Sequence, residues 1–387
     1  MIPYGQQEIT QQDIDSVIDV LKSDFLTQGP QVPLFENAIK EAVNAQYAFA
    51  VNSATSALHI ACLALGVGKG DVVWTTPNTF VASANCALYC GADVDFVDID
   101  PDTYNLSADL LEDKLRYAKK NSQRLPKVVI PVHLCGQPCD MEKIHRLSKE
   151  FGFSIIEDAS HAIGGRYKNR PIGNCEYSDI TVFSFHPVKI VTTAEGGAAT
   201  TNCSKIAQKL ELLRSHGITR DEAVMQSVSH GGWYYEQVDL GFNYRMTEMQ
   251  AALGVSQMSR LDQFVSRRNE LADRYDELLK DLPLTIPSQI KDSYSGRHLY
   301  VVRLKLDEIN LSHREVFETL RQQGIGVNLH YIPVHTQPYY QGLGFKVSQF
   351  PNAESYYSEA ISIPLFHTMT FEQQDIVVQA LSRILVA

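Results

Sequence analysis

Three polar features follow apolar segments of the sequence and could carry chemistry together. Lys189 stands between an apolar run and a segment rich in hydroxyls and glycine, and Asp158 directly follows another apolar run. The stretch Asn-Ser-Ala-Thr-Ser at 52–56 follows a third apolar run and begins a helix-like segment. A lysine amine forms Schiff bases with carbonyl compounds. A carboxylate holds a cationic group, and hydroxyls with free N–H groups at a helix start bind phosphate.

These three features match the needs of pyridoxal 5'-phosphate (PLP). Lys189 would form the Schiff base, Asp158 would keep the pyridine nitrogen protonated, and residues 52–56 would hold the phosphate. Each feature also has an ordinary structural explanation, as a surface lysine, a solvated carboxylate or a capped helix. Spacing alone leaves both interpretations open.

The elements that must position these side chains alternate between strands and helices over residues 47–200. Continuous apolar runs bounded by turn residues are typical of strands buried on both faces, so the pattern predicts an α/β fold with a mostly parallel sheet. In such sheets ligands bind beyond the carboxyl ends of the strands, where all three features lie. We predict strands at 47–51, 71–75, 92–97, 127–132, 153–156 and 179–185, and helices at 53–62 and 80–89.

The pattern changes after Arg245. Residues 246–280 form a long helical stretch, a strand follows at 298–304, and helices are predicted at 312–323 and 371–386. We therefore predict a large domain with an N-terminal arm over 1–255 and a smaller C-terminal α+β domain over 256–387.

Composition excludes several classes of protein. The chain of 387 residues carries 34 Lys and Arg against 45 Asp and Glu, a net charge of −11, with 44% hydrophobic residues. Disorder is excluded, and the acidic balance argues against nucleic acid or an anionic membrane as partner. No signal peptide or membrane span is apparent, and the seven cysteines are an odd, scattered set, so we expect a reduced, cytoplasmic protein. Their spacing lacks the pairing of a zinc site, so no metal is predicted.

A series of motifs occurs in one order along the chain. It resembles the DegT/DnrJ/EryC1/StrS family of nucleotide-sugar aminotransferases, which implies PLP-dependent fold type I, the aspartate-aminotransferase-like architecture. The resemblance covers nearly the whole chain and continues through 214–217 and 330–335. Its motifs are Thr27–Pro30, Asn52–Leu58, Pro77–Phe80, Glu157–Ala162, Phe183–Lys189, Glu195–Gly197 and Gly241–Met246.

The resemblance implies a role for each matching residue. Lys189 forms the Schiff base, Asp158 holds the pyridine nitrogen, and His161 lies near the phenolic oxygen of the ring. Phe80 stacks on the ring, and Asn243 reaches the phosphate in the neighbouring subunit of a homodimer with shared sites. The remaining implied residues bind the cofactor phosphate, namely Ala54, Thr55 and Ser184, or the substrate, namely Tyr4, Leu26, Thr27, His330 and Tyr331.

Within the family, segments 26–29, 183–197 and 298–300 most resemble the branch that aminates a UDP-linked 4-keto-6-deoxy-N-acetylhexosamine in pseudaminic acid biosynthesis. That resemblance implies L-glutamate as amino donor. The chain departs from the branch at Ile190-Val191, where the pattern has a proline, but no reactive group is lost.

Four alternatives stay open to different degrees. A dinucleotide fold is disfavoured because the glycines at 66–70 precede a strand instead of following one. A dehydratase relative would carry His in place of Lys189. A sugar-sensing protein without catalysis and an aminotransferase for a different 4-keto sugar remain, and the second of these is the serious rival.

Overall fold

The computed structural model describes residues 1–386. The α-helices are α1 Gln11–Leu21, α2 Gln31–Val43, α3 Ala54–Ala64, α4 Ala82–Tyr89, α5 Ala108–Lys120, α6 Met141–Phe151, α7 Ser204–Arg214, α8 Glu248–Met258, α9 Leu261–Leu279, α10 His313–Gln322, α11 Pro338–Gly342, α12 Pro351–Glu359 and α13 Phe371–Leu385. The strands are β1 Tyr47–Val51, β2 Val72–Thr75, β3 Asp93–Phe96, β4 Val128–Ile130, β5 Ser154–Asp158, β6 Arg166–Tyr167, β7 Arg170–Pro171, β8 Ile180–Ser184, β9 Gly197–Thr201, β10 Ile218–Thr219, β11 Glu236–Gln237, β12 Leu284–Thr285, β13 Ser293–Tyr294, β14 Tyr300–Leu304 and β15 Ala360–Ile363.

A seven-stranded sheet forms the centre of the larger unit, in the order β1-β9-β8-β5-β4-β2-β3. The pairs from β8 to β3 are parallel, whereas β9 runs antiparallel to both of its neighbours. Successive residues of β2 pack into different hydrophobic clusters. Val73 packs with α3 and α4, and Trp74 packs with α5 and α6. Burial on both faces explains the continuous apolar runs, and the predicted α/β class is confirmed.

A smaller α+β unit follows. Strands β12, β14 and β15 form an antiparallel sheet whose side chains pack with α9, α10 and α13. The first residues of the chain lie on this unit, because Ile2 N–H donates to Gly324 O at 2.8 Å and pairs with Ile325. The domain boundary at 255/256 stays a prediction and falls inside α8; residue 387, the end of the predicted C-terminal domain, lies outside the described residues.

The long helical stretch predicted over 246–280 is observed as two helices. It is divided into α8 and α9 at Ser259 and Arg260, where Arg260 has a non-helical ψ of 9°. The Arg260 guanidinium forms ion pairs with Glu8 at 3.0 Å and with the buried Asp13 of α1 at 2.6 Å, so contacts with the N-terminal segment stabilise the break. A local pattern of helix-forming residues does not reveal such a contact.

Strand β9 was not predicted from the sequence. Its residues, Gly-Ala-Ala-Thr-Thr, are small, and all of them are buried between β1 and β8.

None of the helices in the described part of the chain has the length and apolar character that crossing a membrane requires.

Candidate active site

A cavity of about 490 Å³ opens at the carboxyl ends of β5 and β8. It is closed on its other side by residues of the smaller unit and of the N-terminal segment. The structure brings together here most of the residues that the sequence predicted for the site. They are Tyr4, Ala54, Thr55, Phe80, Asp158, His161, Ser184, Lys189, His330 and Tyr331.

Lys189 lies in the loop after β8 and is half-buried. Its backbone N–H donates to His186 O at 2.9 Å, and its Nζ lies 3.4 Å from His298 Nε2. Burial lowers the pKa of the Lys189 amine to about 8, although the nearby charge of Asp158 opposes that shift. A substantial share of this amine is therefore neutral, and nucleophilic, near physiological pH.

Asp158 is the last residue of β5 and is almost fully buried. Its Oδ2 accepts a hydrogen bond from Ser83 Oγ at 2.6 Å, and its Oδ1 accepts from Ser160 Oγ at 2.6 Å and from the Ser160 N–H at 3.1 Å. Among residues 1–386 no lysine, arginine or histidine forms an ion pair with it. A buried carboxylate held by neutral donors and facing a cavity suits a cationic ring nitrogen.

One end of the cavity is formed by the start of α3. Ser53 caps this helix, its Oγ accepting from Ser56 N–H at 3.1 Å, and the next residues are Ala54 and Thr55. A helix N-terminus favours an anion through its free N–H groups and its dipole. A Cβ on Gly197 would lie only 2.4 Å from Ala54 N, so glycine is needed for β9 to pass this helix start. Together with Ser184, these residues fit a phosphate group.

His161 and Tyr331 form the wall on the other side. The backbone N–H of Cys135 donates to His161 Nδ1 at 3.2 Å, which assigns the imidazole proton to Nε2. That Nε2 lies 3.1 Å from Tyr331 Oη, so the ring donates to the tyrosine oxygen and leaves the phenolic hydrogen for another acceptor. Burial, with the charge of Lys189, holds the pKa of His161 well below its usual value. His161 is therefore neutral.

Aromatic and imidazole rings line the rest of the cavity. Phe80 is 58% exposed, and its ring lies 6.0 Å from that of Tyr331. His330 accepts or donates one hydrogen bond with Ser362 Oγ at 2.8 Å, and its ring lies 5.4 Å from that of Tyr4. Burial lowers the pKa of His330 to about 3, which keeps this ring neutral as well.

Three predicted residues do not reach this cavity within one chain. Leu26 and Thr27 are exposed, with Leu26 O accepting from Glu248 N–H at 3.1 Å. Asn243 is exposed too and pairs with Ser215. Their predicted roles, including the contact of Asn243 with a neighbouring subunit, stay predictions.

Sequence reasoning missed two residues at the centre of the site. Ser83 binds Asp158 from 75 residues away, and a serine in an alanine-rich helix gives no signal of that contact. His298 lies beside Lys189 and His161, its ring 4.4 Å from that of His161. It precedes strand β14, unlike Lys189 and Asp158, which follow or end their strands, and its place in the sequence gives no signal of these contacts. Among residues 1–386 no group of three or more His, Cys, Asp or Glu is placed to hold a metal ion.

The mixed sheet, the strand-end lysine and acid, and the phosphate cradle define a PLP-dependent enzyme of fold type I. Residues 7–382 match the DegT/DnrJ/EryC1/StrS aminotransferase family. The chain belongs to this family of PLP-dependent sugar aminotransferases.

Named relatives span almost the full length of the chain. The UDP-4-amino-4,6-dideoxy-N-acetyl-beta-L-altrosamine transaminase of Campylobacter jejuni is 38% identical over 386 residues, which cover 100% of this chain and 98% of that protein. The spore coat polysaccharide biosynthesis protein SpsC of Bacillus subtilis is 38% identical over 382 residues, covering 98% and 96%. The solved structure of Helicobacter pylori PseC, an aminotransferase involved in the biosynthesis of pseudoaminic acid, matches with a TM-score of 0.90 and 31% identity, covering 100% and 99%.

Proposed function

We propose that this enzyme transfers the amino group of L-glutamate to the C4 ketone of UDP-2-acetamido-2,6-dideoxy-β-L-arabino-hex-4-ulose. The product would be UDP-4-amino-4,6-dideoxy-N-acetyl-β-L-altrosamine, an intermediate of pseudaminic acid biosynthesis. The observation that carries amino transfer is the Lys189 amine, with its lowered pKa, in one cavity with the buried Asp158 carboxylate. The named Campylobacter and Helicobacter proteins support this choice of sugar.

Each of these residues has a separate role in the proposed reaction. Bound PLP supplies an electron sink for the carbanion that forms at the carbon bearing the amino group. Asp158 keeps the cofactor nitrogen protonated, since its carboxylate is held in place by Ser83 and Ser160. The Lys189 amine would hold the cofactor as a Schiff base; when free, it would accept the proton from Cα of L-glutamate in the first half-reaction and would deliver a proton to C4 of the sugar in the second. Neutral His161 orients the Tyr331 hydroxyl.

The proposed active form is a cytoplasmic homodimer with shared sites. Leu26, Thr27 and Asn243 lie on the surface of one chain, outside its own cavity, and large apolar side chains are exposed in the same parts of the sequence. These include Phe25 at 52%, Trp233 at 76% and Leu240 at 75% exposure. A second copy would cover this apolar surface and bring Asn243 to the cofactor phosphate of its partner.

A substrate panel tests the proposal. The purified enzyme is incubated with L-glutamate and several UDP-4-keto sugars, including the proposed β-L-arabino sugar and its C5 epimer, and products are identified by mass and NMR. We expect the proposed sugar to have the highest kcat/KM and to give the altrosamine product. Lys189→Ala serves as the matched inactive control.

A second candidate keeps the chemistry and changes the sugar. The SpsC protein is equally identical at 38%, and its name refers to spore coat polysaccharide instead of pseudaminic acid. Preferential amination of another 4-keto sugar in the panel would refute the proposed substrate. No amination of any sugar, with PLP bound, would refute the aminotransferase function itself.

A further inference from the structure

The amine of Lys189 has one hydrogen-bond partner among residues 1–386, the imidazole of His298. Its Nζ lies 3.4 Å from His298 Nε2, whereas Asp158 in the same cavity binds Ser83 and Ser160. The His298 ring has no other partner in the described chain, because its Nδ1 is buried and unbonded. His298 is only 4% exposed and lines the cavity together with Lys189. The two side chains are thus bonded to each other and to no third group.

The hydrogen atoms of the two groups set the direction of this contact. A lysine ammonium carries only donors, so His298 Nε2 must accept, which places the imidazole proton on Nδ1. Burial, with the charge of Lys189, holds the pKa of His298 well below its usual value, so the ring stays neutral and able to accept. With the proton on Nδ1, the neutral amine also donates to Nε2. The contact therefore orients the amine and leaves its reactive lone pair free.

His298 is held in place without the use of either ring nitrogen. Its N–H donates to Cys135 O at 2.9 Å, and its ring packs 4.4 Å from that of His161. Its carbonyl accepts from Arg268 Nη1 at 3.2 Å, and the same nitrogen donates to Leu365 O at 2.9 Å. Arg268 is 1% exposed, and no carboxylate of the described residues forms an ion pair with it. Its buried guanidinium therefore acts on backbone carbonyls, including that of His298.

We propose that His298 is a positioning residue, whose Nε2 accepts a hydrogen from the free Lys189 amine and directs the lone pair of that amine into the cavity. The inference rests on the Schiff-base role of Lys189 in the proposed function and is independent of which sugar is aminated. At 3.4 Å the hydrogen bond is long, so the amine can leave it when a covalent bond forms. His298 acts whenever the amine is free, both in attack on the cofactor aldehyde and in proton transfer.

Incorporation of PLP into the cofactor-free enzyme tests the inference. The Lys189 nitrogen bonds to the aldehyde carbon, and the aldehyde oxygen leaves as water with the two hydrogens of the amine. His298→Phe keeps a ring beside His161 but removes the acceptor, and we expect it to lower the rate constant by at least about tenfold. His298→Gln restores an acceptor near the position of Nε2 and should recover most of the wild-type rate. Rate constants are compared on the high-pH plateau, where the amine is neutral in every variant.

Binding of pyridoxine 5'-phosphate separates positioning from a general change of the cavity. This alcohol has the ring and phosphate of the cofactor but no aldehyde, so Lys189 cannot react with it. Its Kd, measured by equilibrium dialysis, should stay within about twofold of the wild-type value in His298→Phe, since only the reaction of the amine is affected. His145→Phe is the matched control for both measurements, because it makes the same change at a half-buried histidine on α6.

Several results would overturn the inference. They are a wild-type rate constant in His298→Phe, a loss of pyridoxine 5'-phosphate affinity in parallel with the rate, and a His298→Gln variant no faster than His298→Phe. Failure of the wild type to incorporate PLP would instead refute the cofactor role of Lys189 itself.

A measurement on the unmodified protein covers poor folding of the phenylalanine variant. Nitrogen-15 NMR of the histidine-labelled, cofactor-free enzyme should show a neutral His298 ring with its proton on Nδ1, identified by the absence of its signals in His298→Gln. A charged ring, or a proton on Nε2, would also overturn the inference.

Discussion

The protonation of Lys189 can be titrated directly in the cofactor-free enzyme. Burial lowers the pKa of its amine to about 8, and Asp158 opposes this shift. Replacing Asp158 by Asn removes the negative charge while keeping a group of the same shape between Ser83 and Ser160. We therefore expect Asp158→Asn to move the pKa of Lys189 further down, and the wild-type titration to serve as its reference.

The size of the effect follows from the shift. At pH 7.5 a pKa of about 8 leaves about a quarter of the amine neutral, whereas a free lysine with a pKa of about 10.4 is only about 0.1% neutral. Because only the neutral amine attacks a carbonyl, this larger neutral fraction makes the reaction about 200-fold faster. The same shift costs the folded protein on the order of 3 kcal/mol when the ammonium is buried.

Stopped-flow measurement of PLP incorporation into the cofactor-free enzyme provides the assay. The rate constant should rise with pH around a midpoint of about 8 in the wild type and at lower pH in Asp158→Asn. The rising direction follows because deprotonation creates the nucleophile. A midpoint near 10 in the wild type would refute burial as the dominant cause of the lowered pKa. An upward shift in Asp158→Asn would refute the opposing effect of the Asp158 charge.

Further predictions concern stability, turnover, the hydrogen bond from Ser83 to Asp158 and the binding of PLP. The folded pKa of Lys189 is below its unfolded value, so stability should be lowest below about pH 8 and rise above it; Lys189→Met should raise the Tm of the cofactor-free protein at pH 7. Lys189→Ala should abolish turnover with the far-UV spectrum unchanged, and near-normal turnover would remove the residue from its role. Ser83→Ala takes away a donor to a buried carboxylate and should cost about 1.5–3 kcal/mol of unfolding free energy, against a smaller loss for the remote buried serine variant Ser148→Ala. Gly197→Val should weaken PLP binding measured by equilibrium dialysis, because its Cβ would collide with the backbone at Ala54; unchanged affinity would contradict this account.

The elements of the large unit were predictable because a buried element consists of apolar residues, which the sequence itself shows. Strand β1 was predicted at 47–51 and is observed there, since a strand covered on both faces needs apolar residues throughout. Strand β9 lacks this signal, because its residues are small. Gly197 is required by the close approach of the start of α3, a contact that no local pattern contains. The break between α8 and α9 was not predicted for the same reason, because it depends on ion pairs of Arg260 with residues near the N-terminus.

The site was predictable where it follows from topology. Lys189 and Asp158 come after buried strands, and the carboxyl ends of parallel strands meet at one edge, so their proximity follows from sequence order. The support of Asp158 by Ser83 and the contact of Lys189 with His298 join residues 75 and 109 positions apart. Neither contact has a counterpart in spacing or composition.

The amino-acid sequence alone determined the class of fold and the family, and it predicted Lys189 and Asp158 as the nucleophile and the acid. Local patterns of apolar residues and the order of motifs carry that information. The tertiary structure alone decided the protonation states, with a lowered pKa at Lys189 and neutral rings at His161 and His330. The physical reason is that the pKa of a group and its hydrogen bonds depend on which distant segments pack around it and exclude water. Those contacts exist only in the folded chain.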